Sequence, residues 1–293
     1  MTEPERLVAD LLAQLDLEVL EDCLFRGSSR DLGGRSVFGG QVAGQAMVAA
    51  TRTVTPGHFA HSMHGYFLRP GDMDKAIVYE VENIRDGRSF STRRVQAIQH
   101  GRPIFSMLAS FHVPEDGYVH QAEMPEVPGP EALASHDELR HEWVDALDRV
   151  PESLREAVGR DIAIDLRPVA PWNMLAPDRR EPRQYLWFRA KAALPANQAL
   201  HRAVLTYASD FNLLTTAQLP HGVSFFSPGM QMASIDHALW FHGDLAVDDW
   251  LLYAMDSPGA QDARGLSRGL IFARDGRLVA SVAQEGLIRH RPS

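Results

Sequence analysis

The spacing of apolar residues changes period several times along the chain, and each change marks an element. Leu7, Leu11, Leu12 and Leu15 recur at helical spacing and predict a short amphipathic helix over residues 5–15. The run Phe38-Gly-Gly-Gln-Val-Ala-Gly-Gln-Ala-Met-Val-Ala-Ala-Thr51 also reads as a helix, but one of small residues around which a sheet can pack closely. β-rich runs follow at 61–68, 75–85, 89–100 and 104–113, with turns at Arg69-Pro-Gly-Asp72, Asp86-Gly-Arg88 and His100-Gly-Arg-Pro103. Connections this short predict antiparallel strands. A stretch rich in proline and charge, 114–182, comes next and reads as helical over 130–159. Beyond it the pattern predicts a strand at 185–191, a long helix at 198–218, and strands at 230–241, 249–255, 264–274 and 278–289.

The second series repeats the first. His61-Ser-Met-His-Gly-Tyr-Phe-Leu-Arg-Pro-Gly-Asp72 is echoed by Ser234-Ile-Asp-His-Ala-Leu-Trp-Phe-His-Gly-Asp244, which aligns His61 with Ser234. The echo continues with Ser91-Thr92-Arg93 against Leu266-Ser267-Arg268 and with Gly101-Arg102-Pro103-Ile104 against Gly276-Arg277-Leu278-Val279. Each half is then one central helix wrapped by a curved antiparallel sheet, an α+β arrangement called a hotdog, and the chain is a double hotdog. The expected organisation is an N-terminal hotdog over 1–113, an inter-repeat linker with a helical segment over 114–182, and a C-terminal hotdog over 183–293. A diverged duplication keeps its shape in both halves and its chemistry in one, here expected in the second.

Composition narrows the function. With 293 residues, 45% of them apolar, the chain can bury a sizeable core. A net charge of -9 and a pI near 5.8 argue against nucleic-acid or anionic-membrane partners, while leaving room for a local basic pocket. Cys23 is the single cysteine, so neither an intramolecular disulfide nor a cysteine zinc site is expected, and a cytoplasmic setting fits. The acidic start Met1-Thr-Glu-Pro-Glu-Arg is unlike a secretory signal, and no apolar run reaches membrane-spanning length.

Three polar residues of the second half stand on apolar ground. Asp210 lies about 40° on a helical wheel from Leu214, at the edge of the stripe Leu200, Val204, Tyr207, Phe211 and Leu214. It reads either as a sheltered base or as an aspartate paired with a neighbouring backbone or arginine group. Strand alternation over 230–241 groups Ser234, Asp236, Ala238 and Trp240 on one face and Ile235, His237, Leu239 and Phe241 on the other. On the last strand Gln284 is a polar amide in the row Leu278, Ala280, Val282, Gln284, Gly286 and Ile288. Gln284 matches Ala109 of the first half, so the amide belongs to one copy only. Familiar nucleophile and metal signatures are missing: there is no Gly-x-Ser-x-Gly elbow, no His-Glu-x-x-His, and no phosphate or dinucleotide loop.

The chain resembles the type II acyl-CoA thioesterases, double-hotdog enzymes of bacteria with peroxisomal relatives. The resemblance runs along nearly the whole length in the blocks Leu24-Phe-Arg-Gly27, Val37-Phe-Gly-Gly-Gln-Val42, 61–72, Arg85-Asp-Gly-Arg-Ser-Phe90, Pro103-Ile-Phe105, Tyr207-Ala-Ser-Asp210, Ser234-Ile-Asp-His237, Ala263-Arg-Gly265 and Val279-Ala-Ser-Val-Ala-Gln-Glu-Gly286. It implies hydrolysis of acyl-CoA without cofactor or metal, Asp210 acting as general base on a water held by Ser234 and Gln284. Many members carry threonine at Ser234; serine keeps the hydroxyl and loses the methyl that fixes its rotamer. Backbone N–H groups at Gly39, Gly40 and Gln41 become candidates for the oxyanion hole. Arg85, Arg88, Arg93, Arg264 and Arg268 are candidates for the CoA phosphates. Homo-oligomers are expected, since hotdog sheets extend side by side. The competing readings are a non-catalytic acyl-CoA sensor and an enoyl-CoA hydratase using Asp236 and His237.

Overall fold

A computed structural model of the protein describes residues 1–34, 36–145 and 160–291. Helix α1 (Glu3–Leu15) begins two residues before the predicted start at residue 5, because a capping box starts it: Glu5 N–H donates to the Thr2 hydroxyl, and Thr2 N–H donates to the Glu5 carboxylate. Two short strands that the sequence pattern missed, β1 (Glu18–Glu21) and β2 (Leu24–Gly27), lead to α2 (Gly39–Thr51), the helix of small residues, which is buried along most of its length. Strands β3 (Phe59–Phe67), β4 (Ile77–Asp86), β5 (Phe90–Gln99) and β6 (Arg102–His112) follow the predicted runs. The stretch after them contributes α3 (His136–Asp145) and β7 (Ile164–Pro168); the part of the expected helix beyond Asp145 lies outside the described residues. Then come β8 (Arg183–Ala190), α4 (Gln198–Ala208), the short α5 (Leu213–Thr216), β9 (Met230–Ser234), β10 (Asp236–Phe241), β11 (Leu251–Gln261), β12 (Arg264–Ala273) and β13 (Leu278–His290).

All strands among the described residues join one 13-stranded sheet ordered β1-β2-β4-β5-β6-β3-β10-β13-β12-β11-β8-β7, with β9 also on β13. The order is the same read from either end, allowing for the copy number. Its middle is the antiparallel pair β3 and β10, where Tyr66 faces Asp236 and Ser62 faces Trp240. The echoed segments are thus the two strands that pair with each other across the seam. Beneath it α2 and α4 run antiparallel in direct backbone contact, so close that a Cβ on Gly40 would lie 2.3 Å from the Tyr207 carbonyl oxygen. Two helices, each wrapped by its half of the sheet, make the double hotdog.

Two predicted elements are divided, and both divisions bear on the site. The long helix 198–218 stops at Ala208 and resumes at Leu213, because Asn212 adopts φ +63, a left-handed conformation asparagine tolerates. Asp210 therefore sits in a break between helices, not on the edge of a continuous one. The strand 230–241 divides at a β-bulge. Ser234 pairs with Gly286 and Ala238 with Ala283, so this side carries one residue more than β13 over the same stretch. The extra residue flips the alternation. His237, Leu239 and Phe241 point into the core, and Ser234 lies opposite Gly286, whose inward side packs on Leu214. Ser234 and His237 share the inward face, which overturns the grouping of Ser234 with Asp236. The first half has its bulge between Ala60 and Ser62. Matching the two bulges superposes Ala60 on Ser234 and Met63 on His237, so the echo that aligned His61 with Ser234 is one residue out of structural register.

Candidate active site

The break after α4 carries Asp210 to the first turn of α2. Asp210 Oδ2 accepts the Gly40 backbone N–H at 2.7 Å, and its Oδ1 accepts Gln284 Nε2–H at 2.7 Å. Each carboxylate oxygen is thus held by a donor from a different part of the fold, one at the positive end of a buried helix and one on the central strand β13. Both readings of Asp210 meet here: it is sheltered, and it is paired with a backbone group. Gly39 is bare for a reason, since a Cβ there would lie 2.8 Å from Oδ2 and 2.9 Å from the Phe67 ring.

Gln284 is fully buried, and its orientation follows from hydrogen-bond bookkeeping. Its Nε2 lies 3.3 Å from His237 Nδ1, while His237 Nε2 lies 2.8 Å from Ser209 Oγ. The Ser209 hydroxyl donates to the Thr206 carbonyl at 3.0 Å, so it receives from His237, whose proton is on Nε2. His237 Nδ1 is then an acceptor for the second amide hydrogen of Gln284. Both hydrogens of that amide are committed, and Oε1 is buried with no hydrogen-bond partner among the described residues. Burial depresses the His237 pKa against the opposing pull of Asp210 and Asp236, which keeps the ring neutral, as an accepting Nδ1 requires. The Tyr253 hydroxyl fixes the Ser209 end by donating to the Ser209 carbonyl at 3.0 Å. Sequence reasoning missed His237 as a partner of Gln284 and Ser209 as the partner of His237. Their signal was present in the blocks Tyr207-Ala-Ser-Asp210 and Ser234-Ile-Asp-His237, but only the bulge turns His237 inward.

Residues 161–287 match the family model described as acyl-CoA thioesterase, and residues 28–112 match the acyl-CoA thioesterase N-terminal domain. Acyl-CoA thioesterase 2 of Haemophilus influenzae is 40% identical, the match covering 97% of this chain and 98% of the relative. The chain belongs to the acyl-CoA thioesterase family. An acyl-CoA thioesterase II from Mycobacterium marinum is 42% identical, with 96% of this chain and 98% of that one covered and a TM-score of 0.77. A hotdog-fold protein of Alicyclobacillus acidocaldarius has a TM-score of 0.74 at 16% identity, over 97% of this chain and 99% of that one, and supports the fold. In this thioesterase both matched regions contribute to the one constellation: Gly40 comes from the first, and Asp210 and Gln284 from the second.

Other predicted residues of the thioesterase divide by position. Ser234 lies across the ladder from Gly286, two residues along β13 from Gln284, and among the described residues its hydroxyl bonds to neither Gln284 nor Asp210. Of the oxyanion candidates, Gly40 N–H is committed to Asp210 and Gln41 N–H to the Phe38 carbonyl at 3.1 Å. The Gln41 side chain is likewise occupied, bonding Gln14 and the Ser28 carbonyl. Gly39 N–H is the candidate with no acceptor recorded among the described residues. Arg93 is corrected outright. Its side chain is 1% exposed and donates to Thr53 Oγ1 at 2.9 Å, to the Thr53 carbonyl at 2.8 Å, to the Arg85 carbonyl at 3.0 Å and to Asp86 at 2.5 Å, so no phosphate can reach it. Arg93 faces Ala109 as Ser267 faces Gln284, and fills in the first half the place that the constellation occupies in the second. Arg264 and Arg268 are exposed and paired with Glu285 and Asp256; Arg85 and Arg88 are exposed. Asp236 and His237 face opposite sides, Asp236 accepting the Glu285 N–H at 2.6 Å, so they do not act as a hydratase pair.

Proposed function

We propose that this thioesterase hydrolyses acyl-CoA by direct attack of water, with Asp210 as general base and no covalent acyl-enzyme. The observation that carries the reading is the Asp210 carboxylate gripped by Gly40 N–H and Gln284 Nε2 beside a buried Gln284 Oε1 that has no donor. A water donating one hydrogen to Gln284 Oε1 and the other to Asp210 has its lone pair left for the thioester carbonyl carbon, and Ser234 contributes a further hydroxyl on the same inward face. Asp210 takes the proton as the C–O bond forms. The oxyanion is met by Gly39 N–H at the start of α2, where the helix dipole favours negative charge. Collapse breaks the C–S bond, Asp210 returns its proton to sulfur, and carboxylic acid and free CoA thiol leave. Proton, water and thioester balance without a metal or carrier.

The test is thiol release from saturated acyl-CoAs, acetyl to palmitoyl, by wild type and Asp210→Asn. Removing the base should lower kcat by roughly 10²–10⁴-fold with the acyl-CoA affinity kept. Turnover retained in Asp210→Asn refutes the mechanism. Stoichiometric binding without turnover in the wild type refutes hydrolysis itself and favours a sensor.

A further inference from the structure

Duplication provides an internal comparison for a second feature. At the end of the first half, the β5–β6 turn and the loop after β3 border an open cavity of about 390 Å³ lined by Arg69, Pro70, Gln99, His100, Arg102 and Ile104. At the end of the second half, the β12–β13 turn and the loop after β10 border one of about 340 Å³ whose charged lining residues are Asp249, Arg274, Asp275 and Arg277. The register makes them counterparts. Each lies beside a bulge, between Ala97 and Ile98 in one and between Ile271 and Phe272 in the other, with Pro103 and Leu278 at matching positions and Arg102 and Arg277 just before them.

Their charges differ. In the second cavity Glu131 holds Arg274 at 2.6 Å, Asp275 holds Arg277 at 2.7 Å, and Asp249 adds another acid. In the first cavity Arg102 has no acidic partner among the described residues, and Arg69 donates to the neutral Pro103 carbonyl at 2.6 Å. His100 alone is paired, with Asp72 at 2.9 Å. Two guanidinium groups therefore face one cavity without a carboxylate partner of their own, the nearest acid, Asp72, being held by His100, in a protein whose net charge is -9.

Position follows the same asymmetry. Arg69 is two residues beyond Phe67, whose ring packs at Gly39, so at about 3.3 Å per residue its Cα stands at most ~7 Å further on. Val37 N–H donates to the Gly71 carbonyl at 3.1 Å, clamping this loop to the segment that opens α2. The second cavity's loop is tied instead to the segment that opens α4, through Leu194 N–H to Asp248 at 2.9 Å and Gln198 to the Leu245 carbonyl at 3.0 Å. That is the end where Arg93 has replaced the constellation. Free positive charge and the Asp210 carboxylate share one end of the molecule; neutralised charge and the filled site share the other.

We propose that the cavity of Arg69, His100 and Arg102 seats the nucleotide phosphates of CoA, with the pantetheine arm running past Phe67 to Asp210. The assignment rests on the hydrolase reading for its ligand, and replaces the buried Arg93 with two guanidinium groups that line a cavity and have no carboxylate partner among the described residues, a donor type that phosphate oxygens accept. The experiment compares wild type, Arg102→Glu, Arg102→Gln and Arg277→Glu on an acyl-CoA and on the pantetheine thioester of the same acyl group, with calorimetric titration of adenosine 3′,5′-bisphosphate. Arg102→Glu should raise KM for acyl-CoA and Kd for the bisphosphate about tenfold or more, about 1.4 kcal/mol per factor of ten, and leave kcat and the pantetheine thioester unchanged. Arg102→Gln should follow in the same direction by less, and Arg277→Glu should change neither constant. Unaltered bisphosphate affinity in both Arg102 variants overturns the assignment, as does an equal rise in KM for the pantetheine thioester, or inorganic phosphate binding as tightly as the bisphosphate. No turnover in the wild type with bisphosphate binding still dependent on Arg102 supports the cavity and rejects the hydrolase reading; turnover without Arg102-dependent binding does the reverse.

Discussion

Substituting the two glycines that open α2 separates helix packing from catalysis. A Cβ at Gly40 would stand 2.3 Å from the Tyr207 carbonyl oxygen and 2.5 Å from the Phe38 ring. The ring can turn aside, but the carbonyl belongs to α4, so Gly40→Ala must part the helices by about 1 Å to restore van der Waals contact. The Gly40 N–H bond to Asp210, now 2.7 Å, then stretches past hydrogen-bond range. Overpacking of this kind costs roughly 1–3 kcal/mol, and a 1 Å misplacement of a reacting group costs about 10²-fold in rate. At Gly39 the nearest atoms are side-chain ends, Asp210 Oδ2 at 2.8 Å and Phe67 at 2.9 Å, which can turn aside. Gly39→Ala should therefore leave stability within about 1 kcal/mol of wild type while turning the carboxylate and lowering kcat by about 10²-fold. Thiol release and thermal unfolding by circular dichroism, on the same preparations, read both quantities; at about 2–4 °C per kcal/mol, Gly40→Ala should lose several degrees and Gly39→Ala few. Wild-type kcat in Gly39→Ala with an unchanged Tm would refute the claim that the bare start of α2 positions Asp210.

Further outcomes follow from buried groups. The His237 pKa is depressed chiefly by burial, so the unfolded chain binds a proton the native ring refuses; its contribution to stability is complete above pH ~6.5 and is lost as pH falls from there through the depressed native value. His237→Gln keeps an acceptor and a donor but cannot titrate, and its urea unfolding free energy should fall less steeply than that of wild type between pH 7 and pH 5; identical slopes count against a neutral, buried His237. His237→Phe removes the acceptor for Gln284 and should lower kcat by roughly 10–100-fold, with KM little changed, because one amide hydrogen is left buried and the amide is free to turn. Arg93→Met removes donors to the Thr53 and Arg85 carbonyls while leaving the exposed Asp86 in water, so denaturant unfolding should register a loss of roughly 2–4 kcal/mol with no change in KM for acyl-CoA. A raised KM would restore Arg93 as a phosphate ligand.

The strands and their antiparallel order were legible because apolar alternation and turn residues are local signals, and the echo between 61–72 and 234–244 revealed the doubling. Two kinds of information were not local. Strands β1 and β2 have 4 residues each, too few for a period to register, and are defined by pairing with each other and with β4. The bulge before Asp236 is set by a surplus of one residue against β13, which alternation counted along a single strand cannot see, so Ser234 and His237 were assigned to opposite faces. Gln284 lies in an unbroken strand, and its inward face was read correctly for that reason. The arginines show the limit from the other side: a charged residue carries no mark of whether it will be buried, and Arg93 is held by the carbonyls of Thr53 and Arg85, one of them 40 positions distant in sequence.

The β3–β10 seam has the geometry of a twofold dimer interface, in which each partner contributes the same strand. Here both partners are one polypeptide. Two separate hotdogs meeting through such a seam would fall apart on dilution, and with them any site that draws Gly40 from one and Asp210 from the other. Covalent joining holds the two at an effective concentration that no dilution lowers, of millimolar order for short flexible tethers. It also removes the requirement that the two copies be identical. A symmetric dimer must change both ends together, whereas this chain could fill one end with Arg93 and keep the other open.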